Sequence, residues 1–188
     1  MVERCENTGV YATAMEKALH CFRGNGKGQP ACLRIVPIDP THLDPLAFLF
    51  NRISKDASAV HFHPHPFNWA EANLRANYAG RDYYALMMLD NKAIGYGFLR
   101  GWDDKYAIPS LGIYIDKPFR GSGAAKVLME FLHLIATLRG ASRVRLRVHP
   151  DNVRARRLYD LLGYRFSETL EDGEFIGFLD LPSAVHLT

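Results

Sequence analysis

Residues 111–125 have the sequence LGIYIDKPFRGSGAA, which combines a strand pattern, a glycine-rich turn and the first residues of a helix. Apolar residues alternate with other residues in the first part, and this period is typical of a strand. Pro118 cannot donate to a sheet ladder and ends the strand. From Ala124 onward, apolar residues recur at helical spacing. A helix is therefore predicted to begin inside the turn.

The turn has the composition of a phosphate-binding loop. The first backbone N–H groups of a helix lack internal acceptors and lie at the positive end of the helix dipole. Gly121 and Gly123 have no Cβ, so an anion can approach the main chain there. A Walker loop is excluded because Lys126 is followed by Val127, and a dinucleotide fingerprint would need glycine at position 126. Two interpretations stay open: a phosphate-bearing ligand, or a turn that binds nothing.

A second strand and helix follow. Residues 143–149 alternate between apolar and basic side chains, which predicts a strand. Pro150 breaks this strand, and Asp151 or Asn152 can cap the next helix. That helix is predicted to end at Gly163.

Two segments resemble signatures of the GCN5-related N-acetyltransferase (GNAT) superfamily. Arg120-x-x-Gly123-x-Ala125 resembles its pyrophosphate loop, and residues 152–164 resemble its N-x-x-A-x-x-L-Y-x-x-x-G-[FY] signature. The two segments occur in the correct order, a strand and a helix apart, so the pair is more specific than either one. The resemblance covers roughly residues 33–181, and its distinctive residues lie in the central third.

The resemblance implies an α/β fold with a mixed, mostly antiparallel central sheet, a splayed parallel strand pair and flanking helices. We predict one GNAT acetyltransferase domain over residues 31–188. Residues 1–30 are predicted to be an N-terminal appendage with a helical pattern at residues 12–22 and a glycine-rich connector after it.

The resemblance also implies transfer of acetyl from acetyl-CoA to a primary amine, by direct attack in a ternary complex and without a metal. The central strand would pair with the pantetheine arm, and the amides of the turn would hold the pyrophosphate. An amide at Ile113 or Tyr114 would polarise the thioester carbonyl. The implied cofactor-binding residues are Ile113, Tyr114, Ile115, Arg120, Gly121, Ser122, Gly123, Ala124, Ala125, Lys126 and Asn152.

Tyr159 is predicted to be the general acid that protonates the departing CoA thiolate, the alternative being a packing residue. A phenol with a pKa near 10 can donate to a thiolate of pKa near 8.5 only when it is held close. Some protein N-terminal acetyltransferases of the superfamily carry a glutamate five residues before the motif asparagine, where this chain has Arg147. This departure argues against a peptide acceptor. Arg145 and Arg147 then meet either an anionic acceptor or water.

Three histidines alternate with other residues at His61, His63 and His65, and a proline follows each of the last two, at Pro64 and Pro66. Imidazole is the commonest zinc ligand, so a metal site is one interpretation. The prolines favour an extended path that turns these side chains apart, which favours a rigid surface loop or a substrate-side loop. In the last case His63 is the candidate base, and His61, His65 and Arg147 contact the acceptor.

Composition restricts the class of protein. The chain has 188 residues and a net charge of +3, which is too small to indicate a nucleic-acid partner. No apolar run approaches the roughly 20 residues needed to cross a membrane. Early charged residues argue against a signal peptide, and three cysteines without C-x-x-C spacing favour a cytoplasmic protein. We expect a monomer or a homodimer.

The leading hypothesis is an N-acetyltransferase that acts on a small-molecule amine, an amino sugar being one example. Two alternatives stay open. One is a protein or peptide N-acetyltransferase, and the other is a non-catalytic CoA-binding module.

Overall fold

The computed structural model describes residues 31–171 and 173–182. The predicted appendage at residues 1–30 and the last residues of the predicted domain lie outside this range. The strands are β1 (Leu33–Pro37), β2 (Tyr83–Leu89), β3 (Lys92–Arg100), β4 (Ser110–Ile115), β5 (Arg143–Val148), β6 (Arg165–Glu171) and β7 (Glu174–Asp180). The helices are α1 (Leu43–Ile53), α2 (Trp69–Ala76), α3 (Ala124–Leu138) and α4 (Val153–Leu161).

The strands form one seven-stranded sheet in the order β1-β2-β3-β4-β5-β7-β6. Every neighbouring pair is antiparallel except β4 and β5, which run parallel. The predicted mixed, mostly antiparallel sheet with one parallel pair is therefore confirmed. None of the helices in the described ranges has both the length and the apolarity needed to cross a membrane.

Helices cover both faces of the sheet. One apolar cluster joins α1 to the face that carries Tyr84, Tyr96 and Tyr114. A second cluster joins α3 to the opposite face, where Leu128 and Leu132 are fully buried. The central strands β2 and β3 are apolar almost throughout because neither of their faces meets water.

Helix boundaries follow the capping residues in the sequence. Asn68 accepts from the amide of Glu71 (2.9 Å) at the start of α2, as its side chain predicts. The sequence predicts a helix from Pro40, but the structure has a short 3-10 turn at Pro40–His42 before α1. Pro45 explains the delay, because proline is tolerated only in the first turn of a helix.

His133 on α3 makes stability dependent on pH. Its Nε2 lies 2.8 Å from the hydroxyl of Tyr164, and burial lowers the pKa of His133 to about 4. The unfolded chain, with a histidine pKa near 6.5, binds this proton more readily than the native state. Native stability is therefore expected to fall as the pH decreases from about 7 to about 5, by about 2 kcal/mol from this group.

The test is denaturant unfolding at both pH values. His133→Gln is expected to reduce the measured pH dependence by about 2 kcal/mol, because glutamine cannot take up a proton. The matched control is His63→Gln, which changes an exposed histidine. An unchanged pH dependence in His133→Gln would contradict the assignment.

Candidate active site

A cleft opens where β4 and β5 separate. The two strands share a single pair, Ser110 with Arg145, and the Arg145 amide donates to the carbonyl of Pro109 (3.0 Å). Beyond that pair the strands part around a cleft of about 630 Å³. The splayed pair that the resemblance implies is therefore present.

The backbone of β4 directs some of its polar groups toward this cleft. The amide of Asp116 donates to the carbonyl of Ile94 (2.8 Å), and hydrogen-bonded pairs alternate along an antiparallel ladder. The backbone groups of Tyr114 consequently face β3, whereas those of Ile113 and Ile115 face the cleft. Of the two amides considered for a thioester carbonyl, the amide of Ile113 is the one directed into the cleft.

The turn between β4 and α3 carries a row of free amides. Gly123 is the N-cap of α3, and its carbonyl accepts from the amide of Val127 (3.1 Å), so the preceding amides lie outside the helical bonding pattern. In this turn, the amides with no acceptor among the described residues are those of Gly121, Ser122, Gly123, Ala125 and Lys126. The Ala124 amide has only the Ser122 hydroxyl, at 3.4 Å.

Two glycines make this row accessible. Gly121 and Gly123 have φ of +86° and +91°, which places both in the left-handed region that favours glycine. A Cβ built on Gly123 would meet no atom of the described residues within 4 Å. The space in front of these amides is therefore open, and the N-terminus of α3 favours an anion there. A phosphate group fits this turn.

Arg120 braces the end of β4. Its Nε donates to the carbonyl of Ile115 (2.9 Å), and its other nitrogens donate to the side chains of Ser58 (2.6 Å) and Asp56. Its amide donates to the carbonyl of Lys117 (3.3 Å). The Arg120 amide is therefore bonded within the protein, unlike the amides that follow it in the turn. The predicted contact of Arg120 with pyrophosphate stays a prediction, and its side chain holds the turn in position.

Asp56 is the partner that holds Arg120. Burial by itself would raise the pKa of Asp56, but hydrogen bonds from Ser58, Tyr114 and Arg120 outweigh it and lower the pKa to about 2. The carboxylate is therefore ionised at neutral pH. It ties the turn at Ala57–Ala59 to the end of β4, and this contact fixes one wall of the cleft.

Tyr159 on α4 lines the cleft from the opposite wall. Tyr159 is only 9% exposed, and burial raises the pKa of its phenol to about 12. Its hydroxyl has no hydrogen-bond partner in the described part of the chain. No fully buried side-chain polar atom there lacks a partner, so this hydroxyl must reach the cleft. It is protonated at neutral pH and can donate to a group in the cleft.

Asn152 lies at the start of α4, beside Tyr159 in the cleft wall. Its Oδ1 accepts from the amide of Ala155 (3.2 Å), as the predicted cap requires. Its side-chain amide nitrogen has no acceptor among the residues that the structure describes and can donate to a ligand. Positive charge on the same wall comes from Arg154, whose Nη2 is 3.4 Å from a Cβ built on Gly121. Lys126 pairs with Glu130 (3.2 Å) at the edge of the cleft.

The three alternating histidines point apart, as their prolines predict. His61 lines the cleft. His63 is exposed, bonds to the carbonyl of Val60 and is not among the cleft residues, so the structure does not place the candidate base there. The side chain of His65 is 4% exposed and its Nε2 lies 2.9 Å from the hydroxyl of buried Tyr96. His65 is therefore not among the cleft residues, where its predicted contact with the acceptor would require it. The same burial lowers the pKa of His65.

The two arginines of β5 differ in position. Arg147 lines the cleft and lies 4.0 Å from Glu174. Arg145 donates to the hydroxyl of Ser110 (2.8 Å), at the point where the strands join. Of the two, Arg147 is the one that lines the cleft.

Sequence reasoning missed several residues of the site. His149 lines the cleft with Asp151 beside it, and Asp56 and Ser58 hold the cleft wall through Arg120. The strand pattern of residues 143–149 places His149 on the same face as Arg147, and this pattern could have identified His149 as a site residue. Nothing in the sequence pairs Asp56 with Arg120, because the two are far apart along the chain.

The family model described as the acetyltransferase (GNAT) family matches residues 47–164, the segment that contains most of the sheet and both signatures. The chain belongs to the acetyltransferase (GNAT) family. A search of curated proteins found no significant match. The family uses acetyl-CoA as its donor, and the free amides at the N-terminus of α3 fit the pyrophosphate of that substrate.

Solved structures agree with this fold. The GNAT domain of S. lividans PAT superposes with a TM-score of 0.68 at 20% identity, covering 79% of this chain and 90% of that chain. An acetyltransferase of the GNAT family from Streptococcus pneumoniae gives 0.66 at 19% identity, covering 80% and 100%. The ribosomal-protein-S18-alanine N-acetyltransferase from Escherichia coli gives 0.59 at 19%, covering 83% and 97%. At sequence identities this low, the comparison shows only that these proteins share a fold with this chain.

Proposed function

We propose that this GNAT enzyme transfers acetyl from acetyl-CoA to the primary amine of a small molecule. The observation that carries the proposal is the packing of the segment at residues 57–67 over the cleft. Phe62 lies against Tyr114 (5.9 Å between ring centroids), and His61 stacks on His149 (4.0 Å). A slender amine can reach the thioester past these side chains, whereas a folded polypeptide would have to displace them.

The donor is proposed to lie along β4. Free amides from Gly121 to Lys126 support binding of its pyrophosphate, and the amide of Ile113 supports pairing with its pantetheine arm. Asn152 and Arg154 would contact the donor from the α4 side. The same amide of Ile113 would donate to the thioester oxygen as negative charge develops there.

Tyr159 is proposed to assist the leaving thiolate. Its pKa of about 12 lies above that of a free thiol, near 8.5, so complete donation of its proton would cost about 5 kcal/mol. The phenol is therefore not expected to lose its proton in a separate step. As the C–N bond forms and the C–S bond breaks, the amine nitrogen loses one proton and the sulfur gains one. The hydroxyl of Tyr159 can donate its own proton to the sulfur while it accepts the proton from the amine nitrogen. It is then a neutral phenol again at the end of the reaction.

A polypeptide acceptor is the alternative. The Escherichia coli neighbour is an alanine N-acetyltransferase of a ribosomal protein, so the fold itself permits such acceptors. In this chain Arg147 occupies the position at which the resemblance places a glutamate base. The absence of that glutamate argues against a polypeptide acceptor. A module that binds CoA without turnover is the third candidate.

The test is a thiol-release assay with acetyl-CoA and two sets of acceptors, small primary amines and peptides with free N-termini. We expect CoA release with small amines, at a kcat/KM at least about tenfold above that for any peptide. Faster turnover of a peptide would replace the proposal with the polypeptide alternative. Tight CoA binding without turnover of any acceptor would favour the non-catalytic module.

A further inference from the structure

His61 and His149 face one another at the mouth of the cleft, with Asp151 beside them. Their ring planes are 8° apart and their centroids are 4.0 Å apart. The carboxylate of Asp151 lies 3.6 Å from Nδ1 of His149. The candidate donor atoms of all three residues lie within 4.8 Å of one another. Two imidazoles and a carboxylate therefore converge from two separate segments of the chain.

We propose that His61, His149 and Asp151 form a binding site for a divalent transition metal, with zinc as the reference ion. Neutral imidazole nitrogens and a carboxylate oxygen are common protein ligands of zinc. A tetrahedral ion with ligands about 2.1 Å away holds its donors about 3.4 Å apart. Both histidine rings are partly exposed, so rotation about the Cβ–Cγ bonds can turn their nitrogens toward a common point. Water fills the fourth position.

The surrounding charges decide which ions the site selects. Arg147 and Arg154 line the same cleft, so a cation held by charge alone is repelled. Magnesium and calcium depend on several oxygen ligands, and only Asp151 supplies one in this cluster. A transition metal gains most of its affinity from imidazole nitrogen. The site is therefore selective for zinc-like ions over magnesium.

Metal binding would change access to the cleft. His61 belongs to the segment that covers the cleft, whereas His149 and Asp151 follow β5 on the other side. An ion shared by the two sides holds that segment across the opening. This consequence rests on the proposed function: if the donor lies in the cleft that His61 and His149 line, bound CoA must separate the two imidazoles, so zinc and CoA weaken each other's binding by the same factor.

The first experiment is a calorimetric titration of Zn²⁺ into the untagged, chelator-treated protein without CoA. One site is expected, and His61→Ala and His149→Ala are each expected to weaken its affinity at least about tenfold. The matched control is His63→Ala, an exposed histidine of the same segment, which should bind zinc like the wild type. Mg²⁺ should not compete. Asp151→Asn, a change at an exposed residue, provides a second variant if His149→Ala fails to fold.

Absence of zinc binding, or binding that both alanine variants retain, would overturn the metal site.

The second experiment measures the CoA dissociation constant with and without Zn²⁺. A weaker CoA affinity in the wild type but not in His61→Ala is the expected result. If zinc binds as proposed but CoA does not bind at all, the proposed function fails and the metal site stands. If CoA binds and turns over but zinc does not bind, the metal site alone fails.

Discussion

Tyr159→Phe is expected to lower kcat about 100-fold, the lower end of the range for a positioned proton donor. The substitution removes one hydroxyl from the cleft wall and keeps the ring that packs against Tyr164 (5.6 Å between centroids). The hydroxyl has no protein partner among the described residues, so its loss leaves no unsatisfied group in the fold. The free energy of unfolding and the CoA dissociation constant should therefore stay close to their wild-type values.

Steady-state kinetics with the best amine of the acceptor panel measure this effect. Tyr106→Phe is the matched control, because Tyr106 is 58% exposed and does not line the cleft. Its kcat should equal that of the wild type. If Tyr159→Phe also kept the wild-type kcat, Tyr159 would be a packing residue and the thiolate would draw its proton from another source.

The fold could be predicted because its signals are local. The period of Leu111 to Ile115 gave the central strand, and the free amides after Arg120 follow from where the next helix can start. Caps and breakers such as Asn68 and Gly163 gave most helix ends, with Pro40 as an exception. In each case the physical cause lies within a few residues of its effect.

The acceptor side could not be predicted in the same way. The histidines at 61, 63 and 65 differ in burial and partners although their spacing is regular, because the sheet beneath them decides which ring is covered. The stacking of His61 on His149 requires β5 to end beside the covering segment. Such contacts depend on the tertiary structure, which explains why the donor side was clearer than the acceptor side.

The bracing of Arg120 by Asp56 illustrates the same limit. The resemblance places Arg120 in the phosphate loop, with the main-chain amides of the turn as the predicted pyrophosphate ligands. In the structure the guanidinium of Arg120 pairs with a carboxylate from another segment, and the amides after it remain open to an anion. A signature residue can therefore belong to the site by shaping its backbone.

Gly123→Ala is expected to weaken CoA binding about 100-fold. The added methyl group would stand in the open space before the free amides and push a pyrophosphate away from them. Loss of one or two hydrogen bonds to a charged group costs about 2.7 kcal/mol, which corresponds to a factor of about 100 in the dissociation constant. Calorimetric titration with CoA measures the change directly.

Gly140→Ala separates this effect from backbone strain. Gly140 follows the other end of the same helix, α3, with φ of +80°, and a Cβ there would also meet no described atom within 4 Å. Both substitutions force alanine into the left-handed region, so each should lower the free energy of unfolding by about 1 kcal/mol. Only Gly123→Ala should affect CoA. Equal CoA affinities in the two variants would mean that the amides at the start of α3 do not hold the donor, and the proposed acetyl transfer would then lack its binding site.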